Sequence, residues 1–191
     1  MPEYRRAFQP GGTFFFTLVT ERRAQFLTDP TARRLLRTAF AHARKRLPFT
    51  VDAIVLLPDH LHTIWTLPPH DPDFSTRWSY LKRDFTKAWL VRGGPEQPTS
   101  RSRRRNRRRG VWQRRFWEHV IRDEADFIRH CDYIHYNPVR HGLVRCPHAW
   151  RYSSFHRFVR RGIYEPDWAC ACVPAATPAP DFSDIEATAM E

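Results

Sequence analysis

Two short runs of strand-forming residues, 51–57 and 60–67, are separated in this chain only by Pro58-Asp59. A gap that short demands a tight hairpin. Proline presets one turn torsion and aspartate favours turns, so two antiparallel neighbouring strands are imposed before any other element is considered. The second run opens with His60-Leu61-His62. Strand side chains alternate faces, so both imidazoles share one face while Leu61 points to the other and into the core.

The remaining elements follow from periodicity. Residues 13–20, behind the Gly11-Gly12 turn signal, form an aromatic and β-branched run read as a strand. From 31 to 46, Leu35, Leu36, Ala39, Phe40 and Ala43, followed by Leu47, recur at helical spacing opposite a face of arginines, and Pro48 closes the pattern. A second helix is capped by Asp73 or Ser75, with Phe74, Trp78, Leu81, Phe85 and Ala88 on one face and Arg77, Lys82, Arg83 and Lys87 around it. It ends at Gly93-Gly94-Pro95. Residues 111–121 return to strand composition. Asp123 then caps a third helix whose buried stripe is Phe127, Ile128, Cys131 and Ile134 and which Pro138 limits. This order predicts an α+β fold in one domain: an antiparallel sheet of four to five strands with helices packed on it, in a split βαβ arrangement whose open face is available to nucleic acid.

Composition narrows the function. Of 191 residues, 32 are Lys or Arg against 20 acids, a formal charge of +12 that points to a polyanionic partner. Hydrophobic residues at 41% exclude a disordered polycation. The glycine pairs 11–12 and 93–94 match no phosphate-loop spacing, which disfavours nucleoside triphosphate chemistry. The apolar run at 14–19 is too short for a membrane span, so a cytoplasmic protein is expected. Residues 93–110, with seven arginines and no acid between 101 and 109, read as a solvated loop inserted in a domain spanning 1–168. Residues 169–191, Ala/Pro-rich and then acidic, read as a frayed tail. Cys131, Cys146, Cys170 and Cys172 lack zinc-ribbon spacing and no disulfide is expected; Cys170 and Cys172 are of a type that binds metals but are read as incidental thiols.

The chemistry rests on two places. His60 and His62 on one strand face are a bidentate start to a divalent-metal site. Stepping about 100° per residue along the third helix from Cys131 puts Tyr133 at about 200° and Asn137 at about 240°, on the side away from the buried stripe. The two are i and i+4 neighbours. A tyrosine, with a pKa near 10, is a poor nucleophile unless its electrophile is polarised. A divalent ion on His60, His62 and Asn137 would do that for a phosphodiester, and attack by Tyr133 would leave a phosphotyrosine linkage. Tyr136 is the rival nucleophile, off the face of Asn137. Pro138 biases Asn137 away from helical geometry, so the pair is expected near a frayed last turn.

Leu57-Pro58-Asp59-His60-Leu61-His62, Tyr133-Ile134-His135-Tyr136-Asn137-Pro138-Val139, Tyr4-Arg5-Arg6 ahead of Gly11-Gly12-Thr13, and Arg115-Phe116-Trp117-Glu118-His119 together resemble the single-tyrosine HUH transposases, and among them the REP-associated tyrosine transposases of bacteria. The resemblance runs from about Tyr4 to Trp168. It implies a ferredoxin-like, RRM-like palm and an endonuclease and strand transferase acting on single-stranded DNA with hairpins, using Mg²⁺ or Mn²⁺. It further implies that His60 and His62 hold the metal, that Tyr133 becomes joined to a 5′-phosphate, and that Asn137 stands where the family has Asn or Gln. Relatives are linked to repetitive extragenic palindromes and include monomers and homodimers. The arginine block departs from the family pattern and touches none of these residues.

Candidates for DNA contact are Arg5, Arg6, Lys82, Arg83, Lys87, Arg114 and Arg115. Trp65, Trp112 and Trp117 could stack on unpaired bases, although strand tryptophans more often pack in cores. Two other classes stay open: an inactive relative that only binds structured nucleic acid, and a hydrolase that uses water.

Overall fold

A computed structural model describes residues 7–106, 108–173 and 176–186. Four strands, β1 (Thr13–Val19), β2 (Thr50–Leu56), β3 (His60–Thr66) and β4 (Trp117–Val120), form one sheet in the order β2-β3-β1-β4. All neighbours are antiparallel. The hairpin closes at Pro58-Asp59, where the Leu57 N–H donates to the His60 carbonyl at 2.9 Å. The expected 111–121 strand joins the sheet in two pieces: β4 pairs with β1, and Trp112, buried in the core, bridges to Thr20 just past the end of β1, with Gln113 N donating to Val19 O at 3.0 Å.

Both sheet faces are covered, which corrects the expectation of an open face. Phe14, Phe16, Leu18, Leu61 and Trp65 face α1 (Pro30–Arg46) and α2 (Phe74–Val91). The rings of Trp65 and Trp78 stack there at 4.0 Å. Phe15, Ala53, Val55 and Ile64 face α4 (Glu124–Arg140) and the C-terminal segments. The consecutive aromatics of β1 serve a central strand that is buried on both sides, where strict apolar–polar alternation is not required.

The helix starts follow capping chemistry. Asp29 Oδ1 accepts from Thr31 N at 2.7 Å, with Pro30 leading α1, and Asp73, not Ser75, caps α2 by accepting from Thr76 N at 2.9 Å. Arg77, placed on the periphery of its helix by sequence, is buried, and its guanidinium donates to Asp71, Asp73 O and Pro48 O. Those partners offset its desolvation and pin the β3–α2 connection.

Three expectations change in the connections. The 93–110 segment contains a short helix, α3 (Arg101–Arg105), capped by Ser100; the Arg109–Glu96 pair closes the segment on itself, and Arg103 to Glu21 at 2.6 Å ties it to the rest of the fold. Carboxylates from outside the block give two of its arginines fixed partners. In the tail, Phe182 and Ile185 are buried at α6 (Ser183–Glu186), and Asp184 pairs with Arg129 of α4. Cys146 and Cys170 are joined by a disulfide, while Cys131 and Cys172 are not.

α4 is the most informative departure. Asp123 caps it as expected, accepting from Asp126 N at 2.8 Å, but it runs through Pro138. It ends in paired bonds from Gly142 N to Val139 O and Leu143 N to Pro138 O, both 2.9 Å, with Gly142 at φ +66°. That Schellman stop keeps the last turn helical despite the proline. Ile128 is 52% exposed, whereas Tyr133 and Asn137, expected away from the buried side, are fully buried. The reason is layering: Tyr133 packs between Phe15 and His62 of the sheet and Phe182 of the C-terminal segment, while His135, on another side of α4, meets Phe155 and Phe158 of α5 (Phe155–Arg160), whose leading residues bond along the β2 edge through Leu56 N to Tyr152 O at 2.8 Å. Two sides of α4 are therefore covered.

Candidate active site

β3 is held by β1 in a register that sets Val19 opposite His60 and Thr17 opposite His62, so both imidazoles lie on the α4 face. They are buried, with ring centroids 4.9 Å apart. Each ring is oriented through Nδ1. His60 Nδ1 lies 2.6 Å from Asp59 Oδ1, and His62 Nδ1 lies 3.0 Å from Thr17 Oγ1. A carboxylate can only accept, so His60 carries its proton on Nδ1, and each ring would ligate a metal through Nε2.

Charge follows burial. Burial alone would raise the pKa of Asp59, but His60 and Arg23, whose Nε donates to it at 2.8 Å, outweigh that and hold it below the usual carboxylate value. Burial, with added repulsion from His60 and Arg140, depresses the His62 pKa well below 6.5. His62 is thus neutral at pH 7, the state a ligand requires.

α4 lays one stripe across this pair. The Tyr133 ring meets His62 edge to face at 5.3 Å; Asn137 follows one turn later, fully buried; His141, a further turn on, brings its ring to 5.1 Å from His60. The spacing i, i+4, i+8 is one helical face. Tyr136 lies off it, with its ring 5.9 Å from Phe182. Tyr133 is also enclosed by Phe15 at 5.9 Å and Phe182 at 5.6 Å, and the Arg140 guanidinium sits 5.8 Å from its ring centroid. The four residues singled out by sequence thus come to one place.

Sequence reasoning missed several neighbours. Asp59 and Thr17 orient the histidines, and only the strand register reveals Thr17. Desolvation and the positive field of His60 and Arg140 lower the His141 pKa to about 4. A second group, His119, Asp126 and His130, places its ligand atoms within 4.8 Å of one another. Asp126 there accepts from His119 at 2.9 Å and from Arg122 N and Nε at 3.0 Å, and lies 3.0 Å from His130. Against the opposing effect of burial, Arg122 and His119 hold its pKa far below the usual range. The signal was present in the His119 motif and in the i, i+4 pair Asp126 and His130.

The expected DNA contacts divide. Lys82, Arg83, Lys87 and Arg114 line one groove of about 990 Å³ with Arg103, Arg108 and Arg109. Lys82 already donates to Gln113 O at 2.6 Å. Arg115 is exposed and outside this lining, and Arg5 and Arg6 lie outside the described residues. The groove flanks α2, on the sheet face opposite the histidines. Trp65 and Trp112 are core residues and Trp117 is half-buried against Phe15 at 5.7 Å, so the first two are not base-stacking platforms. Among the described residues no helix is long and apolar enough to cross a membrane.

A four-stranded antiparallel palm with a His-x-His pair on a central strand, beneath a helix that carries a tyrosine and an asparagine one turn apart, defines a tyrosine transposase of the HUH class. No family model matches the chain. It is 44% identical over 170 residues to the REP-associated tyrosine transposase of Escherichia coli K12, covering 88% of this chain and 92% of that one. To the putative REP-associated tyrosine transposase of Haemophilus influenzae it is 43% identical over 171 residues, covering 88% and 93%. Among solved structures, a REP-associated tyrosine transposase bound to a REP hairpin superposes with a TM-score of 0.76 at 42% identity, over 96% of each chain. The chain belongs to the REP-associated tyrosine transposase family, and membership implies use of a divalent metal ion.

Proposed function

We propose that this protein nicks and rejoins single-stranded DNA beside a hairpin, with Tyr133 as nucleophile. The observation that carries this reading is the approach of the Tyr133 ring to His62 at 5.3 Å, with Asn137 one turn further along the same helix face. Tyr133 Oη attacks the phosphorus, the bond to the 3′-oxygen breaks, and the 5′-phosphate becomes esterified to the tyrosine while the tyrosine proton is lost and the departing 3′-oxygen is protonated. The reverse reaction with a new 3′-hydroxyl joins strands without consuming a nucleotide cofactor.

Two imidazoles and an amide oxygen form a mixed borderline and hard donor set, which fits Mn²⁺ and, with phosphate and water oxygens added, Mg²⁺. An ion held by His60, His62 and Asn137 would supply Lewis-acid polarisation of the phosphodiester. The side chains do the remaining work: Asp59 and Thr17 fix the two rings, and α4 presents Tyr133 at a set distance from them. The groove beside α2 takes the hairpin backbone through Lys82, Arg83, Lys87 and Arg114, and the related hairpin complex makes a repetitive extragenic palindrome the substrate of choice. A cytoplasmic, DNA-associated location accords with this reading.

The test is a hairpin-bearing single-stranded oligonucleotide incubated with Mg²⁺ or Mn²⁺. A protein–DNA adduct that survives denaturing electrophoresis, lost in Tyr133→Phe and kept in Tyr136→Phe, is expected. The opposite pattern would move the role to Tyr136, and cleavage in both variants would make the protein a hydrolase that uses water.

A further inference from the structure

We propose that Cys146, His148, Cys170 and Cys172 form a zinc site that clamps the C-terminal segment to the turn after α4. The sequence offers two chelating pairs with one intervening residue, Cys146-Pro147-His148 and Cys170-Ala171-Cys172, separated widely along the chain. The fold brings them together. Ligand atoms of Cys146, His148 and Cys170 lie within 4.8 Å of one another, and Cys172 Sγ is 2.8 Å from Cys146 Sγ and 3.0 Å from Cys170 Sγ.

Both pairs sit on tight turns. Ala149 N donates to Cys146 O at 3.0 Å and Val173 N to Cys170 O at 3.2 Å, while Ala171 N to Arg145 O at 3.0 Å ties one turn to the other. The backbone thus brings the two ligand-bearing turns together without help from the metal, which lowers the ordering cost of binding. With zinc–sulfur bonds of about 2.3 Å, tetrahedral ligands stand about 3.5 to 4 Å apart, so small side-chain rotations would open the three sulfurs to that spacing.

Three thiolates and an imidazole select Zn²⁺ over Mg²⁺ or Mn²⁺, which separates this site chemically from the histidine pair on β3. Four protein ligands close the coordination sphere, which marks a structural site. In the structure Cys146 and Cys170 form a disulfide with Cys172 against both sulfurs. A dithiol reductant supplies the two electrons and two protons that convert this bond to two thiols, itself becoming a cyclic disulfide. Zinc binding then releases three thiol protons as three Zn–S bonds and one Zn–N bond form.

The experiment is metal analysis of the full chain produced with added zinc and purified and desalted anaerobically under a dithiol reductant. One zinc per chain is expected, lost in Cys172→Ser and sharply weakened against a chromogenic chelator in His148→Ala. Both altered residues are exposed, so far-ultraviolet circular dichroism should stay unchanged. Cobalt substitution should give the intense visible bands of a tetrahedral thiolate site, and His60→Ala/His62→Ala should keep its zinc. A wild-type chain without zinc, zinc retained by Cys172→Ser, or zinc lost from the His60/His62 variant would each overturn the proposal.

Discussion

The His62 ring of β3 and the Tyr133 ring of α4 meet edge to face with centroids 5.3 Å apart, although the two residues come from separate halves of the chain. On the other side of His62, Nδ1 lies 3.0 Å from Thr17 Oγ1. The ring is therefore held between a strand neighbour and the candidate nucleophile. Thr17→Val should lower divalent-metal affinity about 10- to 100-fold, as loss of an orienting partner does elsewhere, with Thr17→Ser restoring it. Adduct yield titrated against Mn²⁺ reads this directly; a normal titration in Thr17→Val would remove Thr17 from the site's support.

Phe182 covers Tyr133 at 5.6 Å, and the Asp184–Arg129 pair helps hold that segment on α4. Phe182→Ala and a chain ending at residue 180 should both form adduct faster at limiting DNA. Such an exposed ion pair contributes at most about 1 kcal/mol, so Asp184→Ala should have the smaller effect. Initial rates of adduct formation distinguish this from a tail that merely stabilises the fold, for which rates would fall.

Acid should destabilise the protein through its buried neutral histidines. His135 is fully buried between Ser154 Oγ at 2.8 Å and Tyr164 Oη at 3.2 Å, and desolvation together with Arg157 lowers its pKa to about 3. Below pH 6.5 the unfolded chain takes up a proton that the folded chain refuses, so the stability is present above pH 6.5 and declines as pH falls toward 3. At pH 5 the loss is about 2 kcal/mol from this residue, and His62 adds a change of the same sign. Urea unfolding at pH 7 and pH 5 should show the drop, and His135→Gln should flatten it.

The groove flanking α2 makes a salt-dependent prediction. Exchanging Arg83 and Lys87 for glutamate should weaken hairpin affinity and flatten the plot of log affinity against log salt by nearly one unit per lost phosphate contact. At saturating DNA the adduct should still form, because these residues lie across the sheet from Tyr133. Fluorescence anisotropy over a salt series, with the adduct assay alongside, separates binding from chemistry.

Much of this was legible in local pattern. The hairpin, β1, α1 and α2 follow from period and turn chemistry, and the shared faces of His60 with His62 and of Tyr133 with Asn137 follow from periods of 2.0 and 3.6. Ile128 and Arg77 show where that reasoning stops. Each was assigned from its own helix, yet one is exposed because none of the described residues covers its side of α4, and the other is buried because Asp71, Asp73 and Pro48 supply oxygens for it. The short helix at Arg101–Arg105 and the docked Phe182 were equally unreadable, since their partners Glu21, Tyr133 and Tyr136 are distant in sequence.

By itself, then, the sequence determined which side chains share a face, since backbone geometry fixes that within one element. It also carried the excess positive charge that draws in a polyanion. Only the tertiary structure decided that the histidine face of β3 meets the tyrosine face of α4, that Thr17 and Asp59 hold the rings, that the basic groove lies across the sheet, and that two cysteine-bearing turns converge. Those relationships depend on strand register and layer order, which are settled by the packing of the whole core rather than by any local run of residues.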